Sequence, residues 1–444
     1  MGMILIFDIG KTNKKCFLFD EQFNIIEQEQ IVFPEIKDED GFPCDDLDQL
    51  TSWILEKFNY YKENYPVSAV NFSTYGASFV HPDKEGRPLT PLYNYLKPFD
   101  KDLEEQFFSS YGPAEQFEIE TASPYMGFLN SGLQLYRIRY KIPEINKRIK
   151  YSLHFPQYCS FLLTGKAFSE YTSIGCHTAL WDFRKKDYHR WVEQEGLLKK
   201  LAQVVPATHF EKKDHLKIGV GIHDSSAALV PYLIGVKEKF MVISTGTWSI
   251  VLNPFNKDVL TNEDLNNDCL QFLQIDGDPV KASRLFLGKE HEIQTRKLAK
   301  HFDEDPDKFK KVRFNPDLYR ELKKKDKTVF YFEELTDKRT GKTDLSQFET
   351  YETAYHQLIL ELVKKQIFSF KLALGETKDI KTVFIDGGFS NNEIYCKILA
   401  ENLPQFEFKK ARLASGSALG AAVVTDKDNF SSEVFEKVLK IREV

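Results

Sequence analysis

Two glycine-containing segments combine residue types that bind phosphate. The first reads Asp-Ile-Gly-Lys-Thr-Asn at residues 8–13 and lies between two predicted strands. Its turn can direct backbone N–H groups and polar side chains toward phosphate oxygens, and Asp8 is then placed to hold a magnesium ion. Taken alone, the segment is more typical of a plain hairpin turn, since glycine and asparagine are the residues that hairpins use. The phosphate-binding candidates are Gly10, Lys11, Thr12 and Asn13.

The second segment, Ser-Thr-Gly-Thr-Trp at residues 244–248, also lies between predicted strands. Hydroxyl groups on either side of its glycine suit a β- or γ-phosphate. A hairpin turn is again the alternative, but one such loop in each half of the chain could hold a phosphate chain from both sides. The candidates here are Thr245, Gly246 and Thr247.

A carboxylate stands between these two loops in the sequence. Asp224 follows Gly-Ile-His and opens a predicted helix, where backbone N–H groups and the helix dipole stabilise negative charge. Its two interpretations are a general base and an ordinary helix N-cap, and in isolation the N-cap is the commoner of the two.

The last segment, Asp-Gly-Gly-Phe-Ser-Asn-Asn at residues 386–392, follows a predicted strand. Bare glycine backbone would let a purine and ribose approach, with amides as hydrogen-bond partners, although a simple Gly-Gly turn is the alternative. The adenosine-binding candidates are Gly387, Gly388, Phe389, Asn391 and Asn392. The sequence has no GxxxxGK[ST], no strand-linked GxGxxG and no HExxH motif, which disfavours a P-loop fold, a simple Rossmann site and a zinc site.

The elements that position these segments follow from the hydrophobic pattern. A strand-turn-strand unit over residues 3–20 recurs at residues 240–252, which suggests a duplicated architecture. Residues 301–350 are rich in Lys, Asp and Glu and are interpreted as a solvated subdomain or lid without assigned chemistry. The other predicted elements are strands at 25–33, 69–73 and 382–385 and helices at 47–61, 131–148, 156–163, 352–374 and 416–424.

Composition excludes several classes of function. The 444 residues include 60 Lys and Arg against 66 Asp and Glu, so the net charge of −6 offers no general attraction to nucleic acid. Six scattered cysteines form no CxxC pair and are expected to be reduced thiols. The apolar run before Asp8 is too short for a signal peptide or a membrane span, so we expect a cytoplasmic protein with no membrane partner.

Taken in order, the four segments resemble the FGGY family of carbohydrate kinases, within the superfamily of actin, hexokinase and Hsp70. The resemblance implies a two-domain α/β fold, the actin-like ATPase or ribonuclease H-like fold, with the active site in the interdomain cleft. It places the first phosphate loop, the sugar pocket and the base in residues 1–234, and the second loop and adenosine site in residues 235–444. It also implies ATP and Mg²⁺ as cofactors, Asp8 as the metal-binding residue and Asp224 as the base.

Within the family, the pair His223-Asp224 and the Ser-Thr-Gly-Thr-Trp loop are similar to the L-rhamnulose and L-fuculose kinases. The segment Thr-Tyr-Gly-Ala-Ser-Phe at residues 74–79 is similar to their Thr-aromatic-Gly-x-Asp-Phe sugar motif. Ser78 departs from it, because a neutral hydroxyl replaces a charged acceptor, and this leaves the sugar open. The sugar-side residues implied are Gly76, Ala77, Ser78, Asn130, His223, Asp224, Arg284 and Glu290; for Arg284 and Glu290 the alternative is a helix cap with surface ion pairs.

The expected reaction is transfer of the γ-phosphate of ATP to a sugar hydroxyl, most simply O1 of a ketose such as L-rhamnulose or L-fuculose. Domain closure on the sugar would exclude water. The alternatives are a kinase of the xylulose or ribulose type, a sugar- or nucleotide-binding regulator without turnover, and a filament-forming actin-like protein. The expected partner is a small-molecule sugar, with a homodimer possible.

Overall fold

The first of two mixed sheets is built from the N-terminal half of the chain. The computed structural model describes residues 2–335, 341–412 and 415–444. Seven strands form this sheet: β1 Met3–Ile9, β2 Lys14–Phe19, β3 Ile25–Ile31, β4 Val67–Thr74, β5 Phe210–Lys213, β6 Leu216–Gly219 and β7 Ile222–His223. The strand order is β5-β6-β4-β1-β2-β3, and β7 pairs with β4, as β6 does.

The second sheet repeats this plan. Its strands are β8 Phe240–Thr245, β9 Ser249–Asn253, β10 Cys269–Leu273, β11 Pro279–Leu285, β12 Thr382–Gly387, β13 Glu407–Lys410 and β14 Arg442–Glu443, in the order β10-β11-β9-β8-β12-β13-β14. In each sheet an antiparallel hairpin, β1–β2 or β8–β9, supplies a first strand that pairs in parallel with a later strand, β4 or β12. The predicted duplication is therefore confirmed.

Helices flank both sheets. They are α1 Leu47–Asn64, α2 Lys101–Tyr111, α3 Ala114–Thr121, α4 Gly132–Lys141, α5 Pro143–Arg148, α6 Phe155–Thr164, α7 Tyr171–Ile174, α8 Arg190–Gln194, α9 Asp224–Ala227, α10 Val230–Gly235, α11 Asn262–Asn266, α12 Leu287–Phe302, α13 Pro316–Lys325, α14 Tyr351–Leu374, α15 Glu393–Asn402, α16 Gly416–Thr425 and α17 Ser432–Leu439. Short ribbons pair Ile36–Lys37 with Pro43–Cys44, Phe79–Val80 with Leu153–His154, Phe168–Glu170 with Gln203–Val205, and Trp181–Asp182 with Asp187–Tyr188.

Most predicted elements appear within a few residues of their expected bounds, and one prediction was wrong. The single helix expected over residues 131–148 is two helices, because Pro143 begins α5 and disfavours helical backbone at Ile142 before it. Gly165 ends α6 with a φ of 68°, as its position predicted. No helix in the described ranges is long and apolar enough to cross a membrane.

One helix from the end of the chain packs on the first sheet. Helix α16 lies against β1 and β4 and also against α9. Gly420 permits the approach to α9, since a Cβ at this position would overlap the carbonyl oxygen of Ala227. The surrounding core contains residues of both sheets, including Ile4 and Phe17 with Val242. Helix α16 is thus packed tightly, and it joins the two halves of the molecule.

The chain passes from the first sheet to the second within a short stretch. The last strand of the first sheet ends at His223, and the first strand of the second sheet begins at Phe240. Helices α9 and α10 occupy the interval, and the expected boundary between residues 234 and 235 falls inside α10.

Candidate active site

The carboxylates Asp8 and Asp224 lie at the same end of the first sheet. Strands β1 and β7 both run parallel to β4, with Asp8 opposite Ser73 and His223 opposite Thr74. Asp224 directly follows β7, so one strand, β4, lies between the two strands that carry the carboxylates. Carboxyl ends of parallel strands are where α/β folds bind ligands.

The surroundings of Asp8 perturb its acidity. Burial and, to a smaller extent, the negative charge of Asp224 raise the pKa of Asp8, hydrogen bonds from Ser417 and Ser73 lower it, and the net pKa is about 6. The first turn of α16 therefore reaches the site through Ser417. With a pKa near 6, Asp8 is ionised at neutral pH, and its ionised form lies close enough to Asp224 to be repelled by it.

Asp224 is the first residue of α9, and the cap position is held by His223. Its side chain is 31% exposed, which leaves it accessible from the cleft. Oδ1 accepts the backbone N–H of Ser225 at 2.6 Å and lies 3.1 Å from Nε2 of His223. These contacts fix the carboxylate in one orientation without enclosing it.

His223 is buried and contacts three side chains. Its Nδ1 lies 3.2 Å from Oγ of Ser226, and its Nε2 lies 3.0 Å from Sγ of Cys176 as well as near Asp224. Burial lowers the pKa of His223 and Asp224 opposes this, with a net lowering. A neutral ring with its proton on Nε2 donates toward Asp224 while Nδ1 accepts from Ser226. The histidine thereby orients the candidate base.

The loop after β4 packs directly on this histidine. A Cβ on Gly76 would lie 2.8 Å from both Cys176 Sγ and His223 Cδ2, so only glycine fits there. Ala77 has a φ of 58°, and its carbonyl oxygen accepts a hydrogen bond from Gln134. Ser78 is buried, with Oγ 3.4 Å from the carbonyl oxygen of Tyr93. The structure thus brings the predicted sugar loop together with His223 and Asp224.

Asn130, one of the expected sugar-side residues, is held by hydrogen bonds within the protein. The buried Asn130 side chain donates to the carbonyl oxygens of Pro124 and His177 and accepts from the N–H of Met126. It therefore supports the loop that precedes α4.

Glu290 is also held by hydrogen bonds within the protein. It lies buried in the first turn of α12, where Oε2 accepts the N–H groups of Glu333 and Glu334 and Oε1 accepts from Gln294. Both carboxylate oxygens are hydrogen-bonded within the fold, and the expected sugar contact stays a prediction. Arg284 was also expected on the sugar side. Its guanidinium pairs with Asp268 at 2.6 Å, which matches the alternative of an ion pair.

One histidine near the site has no counterpart in the sequence reasoning. His177 has a φ of 53°, and burial together with the charges of Arg284 and His223 lowers its pKa to about 3. No described residue bonds to its buried Nδ1. His177 therefore has a buried nitrogen without a partner among the described residues, close to Arg284 and His223. Nothing in a single sequence marks it, because its position depends on contacts across the fold.

The first phosphate loop is a tight turn between β1 and β2. The N–H of Gly10 donates to the carbonyl oxygen of Asn13 at 2.9 Å. The ammonium of Lys11 pairs with Glu35 and Asp45, and the Asn13 amide oxygen accepts from Gln30. Thr12 is exposed at the tip. Two of the predicted phosphate ligands, Lys11 and Asn13, therefore have protein partners in this structure.

The second phosphate loop closes the hairpin of β8 and β9. Gly246 donates to the carbonyl oxygen of Trp248, and both Gly246 and Thr247 are exposed. Thr245 is buried instead: its hydroxyl donates to the carbonyl oxygen of Asp386 and accepts from the N–H of Phe389. Its hydroxyl thus ties this loop to the predicted adenosine segment.

A cavity of about 560 Å³ lies between these two segments and α12. Such a volume falls in the range of small-molecule sites. The lining residues are Gly246, Gly288, His291, Phe309, Lys310, Val312, Arg313, Gly388, Phe389, Asn391, Asn392 and Glu393. Gly387 shapes the turn: its φ is 83°, and a Cβ there would overlap the carbonyl oxygen of Thr245. Four of the five predicted adenosine residues therefore line one cavity.

One wall of this cavity was missed in the sequence. The short 3-10 helix Lys308–Lys311 and the residues after it contribute Phe309, Val312 and two cations, Lys310 and Arg313. Residues 301–350 were predicted to be a solvated segment without chemistry, so this wall of the cavity was not predicted. The available signal was the pair of apolar residues at 309 and 312, which a fully solvated stretch would not need.

The sequence matches the models of one class of enzymes, the carbohydrate kinases. Residues 3–212 match the N-terminal domain of the FGGY family of carbohydrate kinases, and residues 237–318 match a carbohydrate kinase FGGY C-terminal domain. The chain belongs to the FGGY family of carbohydrate kinases.

Individual relatives agree with this assignment. A rhamnulokinase of Halalkalibacterium halodurans is 27% identical over 274 residues, which is 55% of this chain and 52% of that protein. A rhamnulokinase of Oceanobacillus iheyensis is 26% identical over 262 residues, 56% of this chain and 55% of that protein. The matched stretch thus spans about half the length of these curated relatives.

Solved structures share the fold along nearly the whole chain. A carbohydrate kinase from Novosphingobium aromaticivorans has a TM-score of 0.79 at 22% identity, covering 95% of this chain and 93% of that one. A glycerol kinase from Plasmodium falciparum with ADP has a TM-score of 0.71 at 16% identity, covering 100% of this chain and 93% of that one.

Proposed function

We propose that this protein is an ATP-dependent carbohydrate kinase in which Asp224 is the general base. The main support is the placement of Asp224 at the carboxyl end of the sheet, beside Asp8, where His223 orients it and leaves it accessible. The loop at Gly76 packs on the same histidine, so the sugar site lies next to the base. The cavity at Gly388 and Phe389 takes the nucleotide.

The chemical step follows from this arrangement. The sugar hydroxyl oxygen forms a bond to the γ-phosphorus while the bond from that phosphorus to the bridging oxygen of ADP breaks. Asp224 accepts the proton that the hydroxyl loses. Proton acceptance by a carboxylate accelerates such steps by about 10²- to 10⁴-fold.

Magnesium fits the acidic side of the site. Asp8 and Asp224 repel each other, and a divalent cation at Asp8 would relieve this repulsion. Within the described residues no group of three or more His, Cys, Asp or Glu side chains could hold a metal ion. Phosphate oxygens and water would therefore complete the coordination of a magnesium ion held at Asp8. The cation would neutralise charge that develops on the phosphates.

The acceptor we propose is O1 of a ketose such as L-rhamnulose or L-fuculose, phosphorylated in the cytoplasm. The His-Asp pair supports this branch of the family, and two relatives that match half of the chain are named rhamnulokinase. Ser78 supports a distinct sugar preference, because its buried hydroxyl donates or accepts where that branch carries an acceptor-only carboxylate. All six cysteines are buried and free, in keeping with a reducing compartment.

The product identifies the acceptor. The purified protein is incubated with Mg²⁺ and ATP and each of a panel of ketoses, aldoses and polyols, and the phosphate position in the product is assigned by phosphorus-proton correlation NMR. We expect one ketose to give an ester at C1. A product phosphorylated elsewhere, or an aldose acceptor, would contradict the ketose assignment but not the kinase assignment.

A further inference from the structure

We propose that Asp45 is a positioning residue that couples the first phosphate loop to the sugar-side loop. This rests on the proposed kinase function. Asp45 stands just before α1, whose N-cap is Asp46, and its side chain is only 6% exposed. It belongs to neither loop.

Three side chains from the two loops converge on this carboxylate. Oδ2 accepts from Nζ of Lys11 at 2.7 Å and from the hydroxyl of Tyr75 at 2.7 Å. Oδ1 accepts from Nζ of Lys14 at 2.8 Å, and the same ammonium donates to the carbonyl oxygen of Lys11. Asp45 therefore fixes both ends of the phosphate turn. Its Oδ2, which binds Lys11, also binds Tyr75, the residue that opens the sugar-side loop.

The tyrosine connects this cluster to the base. Tyr75 is followed by Gly76, which packs against the ring of His223, and His223 orients Asp224. The ammonium of Lys11 also lies 6.0 Å from the centre of the Tyr75 ring. A displacement of Tyr75 on sugar binding is thus transmitted to Lys11 and Lys14 through one carboxylate.

The charges make Asp45 hard to replace. The Lys14 side chain is 2% exposed, so without Asp45 a buried ammonium would lose its only carboxylate partner among the described residues. Burial acts to raise the pKa of Asp45, but hydrogen bonds from Lys11 and Lys14 outweigh this and hold the pKa below its usual value. Asp45 stays ionised across the physiological range.

Lys11 has a second partner that it can exchange. Glu35, the other carboxylate on Lys11, is 44% exposed, and an exposed ion pair is weak. An incoming phosphate can replace Glu35 while the ion pair between Asp45 and Lys11 remains. ATP and sugar therefore act on the same cluster, and each ligand changes the affinity of the other by the same factor.

The test compares Asp45→Asn with Asp46→Asn. Asp46 is the adjacent carboxylate, accepts only the N–H of Gln49 among the described residues, and keeps its cap function as asparagine. Affinity for Mg-ATP is measured on the full chain by titration calorimetry with Mg²⁺ and AMP-PNP, an ATP analogue whose γ-phosphate is not transferred, without sugar and with the sugar found in the product assay. For Asp45→Asn we expect affinity for Mg-ATP without sugar to fall about tenfold, as expected for loss of charge-assisted hydrogen bonds, and the enhancement by sugar to disappear. Asp46→Asn should match the wild type in both.

Tyr75→Phe is the second variant, and it removes only the hydroxyl that donates to Asp45. We expect it to weaken Mg-ATP binding severalfold although Tyr75 belongs to the sugar-side loop, and the double variant with Asp45→Asn to be no weaker than Asp45→Asn alone. If Asp45→Asn does not fold, as melting curves would show, Tyr75→Phe decides. Unchanged Mg-ATP affinity in Tyr75→Phe, or equal affinity in Asp45→Asn and Asp46→Asn, overturns the proposal. Failure of the kinase function would appear separately, as sugars left unphosphorylated with Mg-ATP still bound.

Discussion

Three carboxylates near the site differ in acidity because their burial and their partners differ. Asp45 has two ammonium partners, and its pKa lies below the usual value. Asp8 is buried beside another carboxylate, which contributes to raising its pKa to about 6. Glu170 is fully buried, and its hydrogen-bond donors are backbone N–H groups and hydroxyls of Thr172 and Ser173; burial raises its pKa to about 7 despite them. Burial raises the pKa of Asp8 and Glu170, whereas the two ammonium partners of Asp45 outweigh its burial.

Glu170 provides a prediction for the pH dependence of stability. Its folded pKa of about 7 lies above the ordinary value of 4.5, so between these values the folded state holds a proton that the unfolded state has lost. Its contribution to stability is therefore present below pH 4.5 and is lost as pH rises through 7, by about 3 kcal/mol in total. Relative to Glu170→Gln, the wild type should lose free energy of unfolding between pH 5 and pH 8, measured by urea denaturation.

A matched control for this effect is Glu115→Gln on the exposed surface of α3. Its difference from the wild type should stay constant over the same range. A constant difference for Glu170→Gln as well would contradict the assignment, because the buried carboxyl would then titrate alike in both states.

At the scale of elements, hairpins and helix ends were accessible from the sequence and long-range contacts were not. The turns at Gly10 and Gly246 and the helix end at Gly165 depend on a few neighbouring residues, so local patterns predicted them. The cavity wall at Phe309 and Arg313 arises from packing against segments that lie far away along the chain, and no local pattern encodes it. The hydrogen bonds of Glu290 could not be predicted for the same reason, since its partners at residues 333 and 334 are 43 and 44 residues away.

The contact of α16 with α9 yields a prediction for one glycine. Gly420→Ala places a methyl group against the carbonyl oxygen of Ala227 and must push α16 away from the helix that begins at Asp224. We expect a loss of about 1–3 kcal/mol in the free energy of unfolding and a lower turnover rate. Thermal denaturation and kinase assays measure both.

Gly388→Ala is the control for that experiment, because it adds the same methyl group where no atom lies within 4 Å. It should melt close to the wild type, whatever it does to ATP binding. If Gly420→Ala also melts like the wild type, α16 does not pack on α9 as tightly as the structure shows.

At the scale of the whole molecule, the two sheets depend on a shared core. Buried residues of α16, including Leu419 and Ala422, pack in one cluster with Ile6 of the first sheet and Phe384 of the second. Two sheets of the same plan were predictable from the repeated strand-turn-strand units. The return of α16 to the first sheet was not, because 342 residues separate its first residue, Gly416, from Thr74 at the end of β4.

This shared core predicts the behaviour of the separated halves. A fragment of residues 1–234 contains every strand of the first sheet but lacks α16, so its apolar surface around Ile4 and Ile6 would be exposed. We expect it to aggregate or to unfold without a cooperative transition in circular dichroism, and co-expression with residues 235–444 to restore a folded species. A cooperative, monomeric fragment alone would show that the first half is independent of α16.

The proposed role of Asp224 is to take the proton from the sugar hydroxyl, and the turnover rate of an Asp224 variant tests this role. ADP release with Mg²⁺ and ATP is followed for wild type and Asp224→Ala with the sugar that the wild type phosphorylates. We predict that kcat falls by about 10²- to 10⁴-fold in the variant while Mg-ATP affinity is retained. Turnover within a few-fold of the wild type would contradict the claim, and a wild type that binds Mg-ATP and sugar without releasing ADP would indicate a regulator of the same fold.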